Sequence, residues 1–326
     1  MFYALALALC LAVFFIVVAI SFLFCAAGLY SGNRWLHFLP TRPRANVLFL
    51  LRAVPFILGI LVTVGFTLPA FLRFEPRASH EMIGPGLLTL ASLGAFKTAG
   101  IGIRMLRIIR ATRRAQQQWQ IHSRRLHVTS ADVPVYCTTL PAPLFAVTGI
   151  FRPKIFVAQA VIEKLSPAEL DAALAHELAH MSTLDNLKQL LLKATTVSRL
   201  NLFADSNAMW LNTAEMAADE GALARGVSAL DLSSALVKVG GLSRLAPASS
   251  LIAASHLLPI TAPSCLETRV NHLRRLLESE DLAAGVQAGR KNYWPAFFLF
   301  FLVAGYAICV NSMLPHIHEA LELLVR

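Results

Sequence analysis

Charge is scarce in this chain: Asp, Glu, Lys and Arg make up 15% of its 326 residues, while 56% are hydrophobic. That is too little charge for an ordinary soluble domain and too much for a bundle held wholly within lipid. The five cysteines (Cys10, Cys25, Cys137, Cys265 and Cys309) are scattered, with no CxxC pair. This excludes a disulfide framework and a cysteine-based zinc site; three of the five lie in apolar runs, where a thiol packs as a small hydrophobe. Repeats and low-complexity tracts are also missing, which excludes solenoids and arrays. Carboxylates are too few to balance the bases: the net charge is +10, and its placement along the chain matters more than its sum.

Long uncharged runs are what the chain does have. "FYALALALCLAVFFIVVAISFLFCAAGLY", from Phe2 to Tyr30, contains no charge and exceeds the ~20 apolar residues that a membrane span needs. It has no basic start and is too long for a signal-peptide core, so it reads as a retained span. "VPFILGILVTVGFTLPAFL", from Val54 to Leu72, is a second span. "MIGPGLLTLASLGAFKTAGIGI" is a third, interrupted by Lys97. "WPAFFLFFLVAGYAICVNSML", from Trp294 to Leu314, is a fourth, with aromatic residues at its start as in an interfacial belt.

Basic residues orient these spans. Arg34, Arg42 and Arg44 follow the first, seven arginines and no acid fill residues 104–125 after the third, and Arg290 and Lys291 precede the fourth. The positive-inside rule then puts the N-terminus outside, residues 104–293 in the cytoplasm and the C-terminal tail outside. The chain thus reads as an integral membrane protein of a bacterial inner or plasma membrane. The arginine run 104–125 is expected to lie on anionic lipid headgroups rather than on nucleic acid, because it adjoins a span.

The sequence predicts a boundary between membrane and soluble parts near Leu126. "VPVYCTTLPAPLFAVTGIFRPKIFVAQAVI" is β-branched and aromatic, with Pro and Gly punctuation. It predicts two or three short strands and a turn at Gly149 to Pro153. In "SPAELDAALAHELAHM", Ser166 is an N-cap, Pro167 suits the first helical turn and Glu169 completes a capping box. Helical periodicity is expected from there to about Glu280, with 187–203 an amphipathic or core helix.

In that first helix, His176 and His180 lie four residues apart on one face. They can turn two imidazole nitrogens to one point, with Glu177 close enough to meet a metal-bound water. This is the HExxH arrangement: two zinc ligands and a carboxylate base. A pair of core histidines would explain the imidazoles alone, but not the glutamate between them. A catalytic zinc needs a third protein ligand from another element. "NTAEMAADEGALARG" offers Glu215, Asp219 and Glu220. Glu215 and Asp219 share a face, so one can bind metal while the other orients a ligand histidine. Glu215 is the favoured ligand.

The strand segment, "LSPAELDAALAHELAHMSTLDN" and "EMAADE" together resemble the gluzincin membrane metallopeptidases. The chain is most similar to the penicillin-sensor (antirepressor) family, with the HtpX-like proteases as a second resemblance. This resemblance implies a multi-pass α-helical membrane protein with an α+β zincin metallopeptidase domain and one catalytic Zn²⁺. It implies His176, His180 and Glu215 as ligands and Glu177 as base. Asp219 matches an acid behind the ligands, and Asp185 an acid that follows the zinc helix. Arg269 matches a position in a later basic helix, "ETRVNHLRRLL".

The expected divisions are a membrane domain 1–103, with spans near 2–30, 54–72 and 82–103, and a basic linker 104–125. A peptidase domain 126–293, a span 294–314 and a tail 315–326 follow. Only "PHIHEALELLVR" follows the last span, so the large extracellular sensor of the antibiotic-sensing relatives is not expected. The expected activity is endoproteolysis of a cytoplasmic or membrane-associated protein, a repressor or a membrane protein, in regulatory proteolysis or in quality control. A strand from 141–157 can take substrate by edge pairing. Arg269 and His272 are candidate donors to the transition-state oxyanion. A non-catalytic receptor or scaffold with structural zinc is the alternative from a different class.

Overall fold

The computed structural model describes residues 1–76, 83–128, 133–140, 145–150, 152–195, 204–243, 254–256, 263–278, 306 and 312–325. The chain divides into two compact units. One comprises Met1–Trp35, Leu50–Gly102 and Gly289–Arg326, the other Leu36–Phe49 and Ile103–Ala288.

The first unit holds nearly all of α1 (Phe2–Leu36), which carries the uncharged N-terminal run, and all or part of the next three helices. Helix α2 (Thr41–Val62) continues through a π-helical turn, Thr63–Thr67, into α3 (Leu68–Phe74), and α4 covers Pro85–Ile121. The stretches Phe2–Ser31, Thr41–Phe74 and Pro85–Ile121 are long and apolar enough to cross a membrane. Large apolar side chains such as Tyr3, Phe24, Leu61 and Phe96 are exposed on them, the surface that a lipid-facing helix presents. Within this unit Leu5, Leu9 and Ala12 of α1 pack with Phe71, Leu87 and Leu321. The π turn has a local cause. Pro69 has no N–H to offer the Gly65 carbonyl four residues earlier, and the Tyr306 hydroxyl donates to that oxygen at 2.6 Å. Lys97, which interrupts the third apolar run, extends over the Phe56 ring. Most of the fourth expected span, residues 294–314, lies outside the described residues.

The second unit is α+β. Strands β1 (Ser123–Leu126), β2 (Val135–Thr138), β3 (Phe145–Thr148), β4 (Lys154–Ala158) and β5 (Ala254–His256) form a sheet in the order β1-β2-β4-β3-β5. Strands β2 and β4 are parallel, and the other neighbours are antiparallel. The predicted turn lies between β3 and β4, where Gly149 has φ 96°. A Cβ there would meet the Arg152 carbonyl at 2.8 Å, so the hairpin needs glycine.

Helix α5 (Gln159–Lys164) leads into α6 (Pro167–Ser182), followed by α7 (Asp185–Thr195), α8 (Ala204–Leu223), α9 (Ala229–Ser243) and α10 (Pro263–Glu278). The capping box forms as expected: Ser166 Oγ accepts from the Glu169 N–H and the Glu169 carboxylate from the Ser166 N–H. Glu169 also binds Ser234 and Lys238 of α9. Lys238 beside it, with the Ser234 hydroxyl, lowers its pKa to about 2. Val147, Ile155 and Val157 of the sheet pack with Ala172, Ala173 and Leu174 of α6 and Leu232 and Leu236 of α9 in one core.

Three features depart from the sequence expectation. Helix α4 runs unbroken to Ile121 and is followed by β1 at Ser123, so the arginine run is helix and then strand, and the sheet begins before Leu126. Residues 254–256, expected within a helical stretch, form β5 and supply the antiparallel partner that the outer side of β3 needs. Strand β3 and all but the last residue of β4 lie within 141–157; both strands have neighbours on both sides among the described residues, and neither presents the free edge expected for substrate.

Candidate metal centre

The centre forms where α6 packs against α8. Small residues let the two helices approach: a Cβ on Gly221 would lie 2.9 Å from the Ala179 Cβ, and Ala214, Ala217 and Ala218 are buried beside it. At that approach, one side-chain atom each from His176, His180 and Glu215 lie within 4.8 Å of one another, and all three residues are buried. The two Nε2 atoms are 3.1 Å apart. Glu215 oxygens lie 3.4 Å from His176 Nε2 and 3.6 Å from His180 Nε2. Glu177, next to His176 on α6, is fully buried.

Each histidine is held from behind by a carboxylate. His176 Nδ1 lies 2.9 Å from Asp219 Oδ1, and His180 Nδ1 lies 2.8 Å from Asp185 Oδ2. The second contact depends on a sharp turn after α6. Leu184 adopts φ 56°, a left-handed conformation that is strained for leucine, and α7 starts at the next residue with Asp185. Lys188 pairs with the other Asp185 oxygen at 3.3 Å. Asn186 donates to the Val147 and Gly149 carbonyls, which joins α7 to the β3–β4 turn.

Arg269 of α10 closes the back of the centre. Only 1% exposed, it donates from Nε and Nη2 to the two Asp219 oxygens, at 2.8 and 2.6 Å, and its Nη1 lies 3.1 Å from Glu215 Oε2. This bidentate clasp on Asp219 is the strong geometry for arginine. His272 instead pairs with Glu220 Oε1 at 3.0 Å. The Thr41 hydroxyl donates to that same oxygen at 2.6 Å. Thus the structure brings His176, Glu177, His180, Asp185, Glu215, Asp219 and Arg269 into one cluster, and it pairs His272 with Glu220.

Sequence reasoning missed Lys188, Asn186 and the anchoring of α8 by α2, in which Arg42 donates to the Ala217 carbonyl at 3.1 Å. The i,i+3 spacing of Asp185 and Lys188 could have flagged the first. No local signal points to the other two.

Carboxylates surround the two histidines and favour positive charge there. With each Nδ1–H given to a carboxylate, neutral imidazoles would point their Nε2 lone pairs at each other. Burial disfavours charge on His180, but Glu215, Asp185 and Glu177 outweigh it and push the His180 pKa up to about 10. Burial acts to raise the Glu215 carboxyl, yet His180 and Arg269 hold it well below the usual carboxylate range. Asp219 is likewise lowered, by Arg269 and His176 against burial. The spacing suits a metal: tetrahedral bonds of ~2.1 Å place ligand atoms about 3.4 Å apart, close to the observed 3.1, 3.4 and 3.6 Å.

Membrane-crossing helices and a buried two-histidine, one-glutamate cluster on an α+β unit define a membrane-associated metallopeptidase. A family model described as BlaR1 peptidase M56 matches residues 87–261, just over half of the chain, and the chain belongs to that family. No curated protein matches the chain.

Proposed function

We propose that the chain is a zinc-dependent endopeptidase with His176, His180 and Glu215 as the metal ligands and Glu177 as the general base. The convergence of His176, His180 and Glu215 from α6 and α8, with the buried Glu177 beside His176, supports this reading. Two imidazoles and a carboxylate suit Zn²⁺ and leave a coordination position for water or substrate. When bound, the metal supplies polarisation of the scissile carbonyl and a water acidified towards neutral pH.

The chain's own residues do the rest. Glu177 takes a proton from the attacking water at its carboxylate and returns it to the leaving amine. Asp219 and Asp185 hold the imidazoles in the tautomer that presents Nε2. Arg269 holds Asp219 and balances Glu215. By the basic-residue distribution, the peptidase unit faces the cytoplasm of a bacterial inner membrane and the N-terminus faces outside. Its substrate is a cytoplasmic or membrane-associated protein, such as a repressor, cut in regulatory proteolysis.

The test compares cleaved cytoplasmic N-termini in cells that carry wild type or Glu177→Gln, with metal content measured on both purified proteins. Unchanged metal content with loss of the wild-type-dependent cleavages, by roughly 10²-fold or more, is the expected result. Cleavage that persists in the variant refutes the mechanism.

A further inference from the structure

Outside the metal centre, a cavity of about 450 Å³ opens between α4, the β3–β4 turn and the start of α7. This lies within the range of small-ligand sites, about 300–1,000 Å³. Its apolar wall comprises Met105 and Ile109 of α4, Ile150 of the turn, and Leu187 and Leu190 of α7. Its charged side comprises Arg113, Arg152 and Lys154, and no carboxylate lines it. Lys154 donates to Gln120 Oε1 at 2.7 Å. Arg113 and Arg152 are exposed, and among the described residues no ion pair or hydrogen bond engages either guanidinium.

The place of the cavity along the chain indicates its occupant. Its α4 wall, from Met105 to Gln116, follows the apolar residues 85–103 on one continuous helix. On a helix that spans the bilayer, Met105 and Ile109 lie in the first two turns past residue 103, and Arg113, about 15 Å along the axis, leans back towards the phosphates because helical side chains tilt towards the N-terminus. An apolar wall beside guanidinium groups that no described residue pairs matches an amphiphile with an anionic head, because arginine binds phosphate oxygens in a fork. A free anion would leave the apolar wall unused, and a zwitterionic lipid would bring its own ammonium against the arginines.

We propose that this cavity is a specific site for one anionic phospholipid. The phosphate sits between Arg113 and Arg152, and the start of one acyl chain lies on Ile109, Ile150, Leu187 and Leu190. The site rests on the membrane-spanning reading of α4 and not on peptidase activity. The same helix α7 begins at Asp185, which holds His180, so the site and the metal centre share one element.

The experiment uses the full chain, purified in detergent and titrated with phosphatidylglycerol, phosphatidylcholine or glycerol phosphate, with retained ligand read by native mass spectrometry. Wild type should retain phosphatidylglycerol over phosphatidylcholine by about tenfold or more, since each of the two arginines near an anionic lipid contributes roughly a fivefold preference. Arg113→Gln/Arg152→Gln should lose that preference. Arg107→Gln/Arg110→Gln, which removes equal charge from exposed α4 positions outside the cavity, should keep it. Equal losses in both pairs would mean diffuse charge attraction and overturn the proposal. Equal retention of phosphatidylcholine, or full competition by glycerol phosphate, would overturn it as well. Binding is read without turnover, so an inactive Glu177→Gln protein that retains the lipid separates this proposal from the peptidase reading.

Discussion

Replacing Arg269 with methionine should expose how much the metal centre depends on one buried cation. Arg269 makes contacts of 2.6 and 2.8 Å to Asp219 and of 3.1 Å to Glu215, at 1% exposure. Arg269→Met keeps most of the volume and leaves two buried carboxylates without their cation. Removing one partner of a buried pair costs about 3–5 kcal/mol, a large share of the ~5–15 kcal/mol that holds a domain together. For a unit of this size, ~1 kcal/mol shifts Tm by roughly 2–4 °C, so the metal-stripped variant should melt roughly 6–20 °C below wild type. A bound divalent cation beside Glu215 would replace part of the missing charge, so the gap should narrow when zinc is added. Arg269→Met/Asp219→Leu should recover part of the loss, because one orphaned carboxylate is gone. The assay is thermal unfolding of the detergent-purified chain, with and without chelator. An Arg269→Met protein that melts like wild type in chelator would refute the reasoning, as would a gap unchanged by zinc.

Asp185→Asn leaves His180 without its charged acceptor and should weaken zinc binding about 10–100-fold, measured by competition with a chromogenic chelator; Lys188→Gln should have a smaller effect. Gly149→Ala places a Cβ against the Arg152 carbonyl at a positive φ and should destabilise the peptidase unit by roughly 1–3 kcal/mol, seen as a lower denaturation midpoint. Glu169 has its pKa lowered to about 2 in the fold, so its contribution is present above the ordinary carboxylate pKa. It should fade as pH falls from about 4.5 towards 2. Glu169→Gln should accordingly melt below wild type at pH 7, and the two melting curves should draw together below pH 4.5 and converge as the pH approaches 2.

Local features were the ones legible in the chain. The capping box at Ser166, Pro167 and Glu169 and the histidine pair on α6 depend on helical spacing alone, which a few adjacent residues specify. The apolar runs of α1, α2 and α4 were equally plain, because membrane-spanning length is a property of contiguous sequence. The turn at Gly149 was marked by residue type. Strand β5 was not, because "ASH" has no strand character of its own and is drawn into the sheet by the open side of β3. The end of the arginine run was misread for a related reason: Ser123–Leu126 is polar and becomes strand only by pairing with β2.

The sequence by itself therefore determined the apolar helices, the α6 face with His176, Glu177 and His180, and the α8 face with Glu215 and Asp219. Only the tertiary structure decided that Glu215 meets the histidines while Asp219 stands behind His176. It also decided that Arg269 is clasped on carboxylates, and that α4, the hairpin turn and α7 enclose a basic, apolar-walled cavity. The physical reason is distance along the chain. Helical spacing acts over four residues, whereas Arg269 lies 50 residues from Asp219, and only packing between whole helices sets which of their side chains meet.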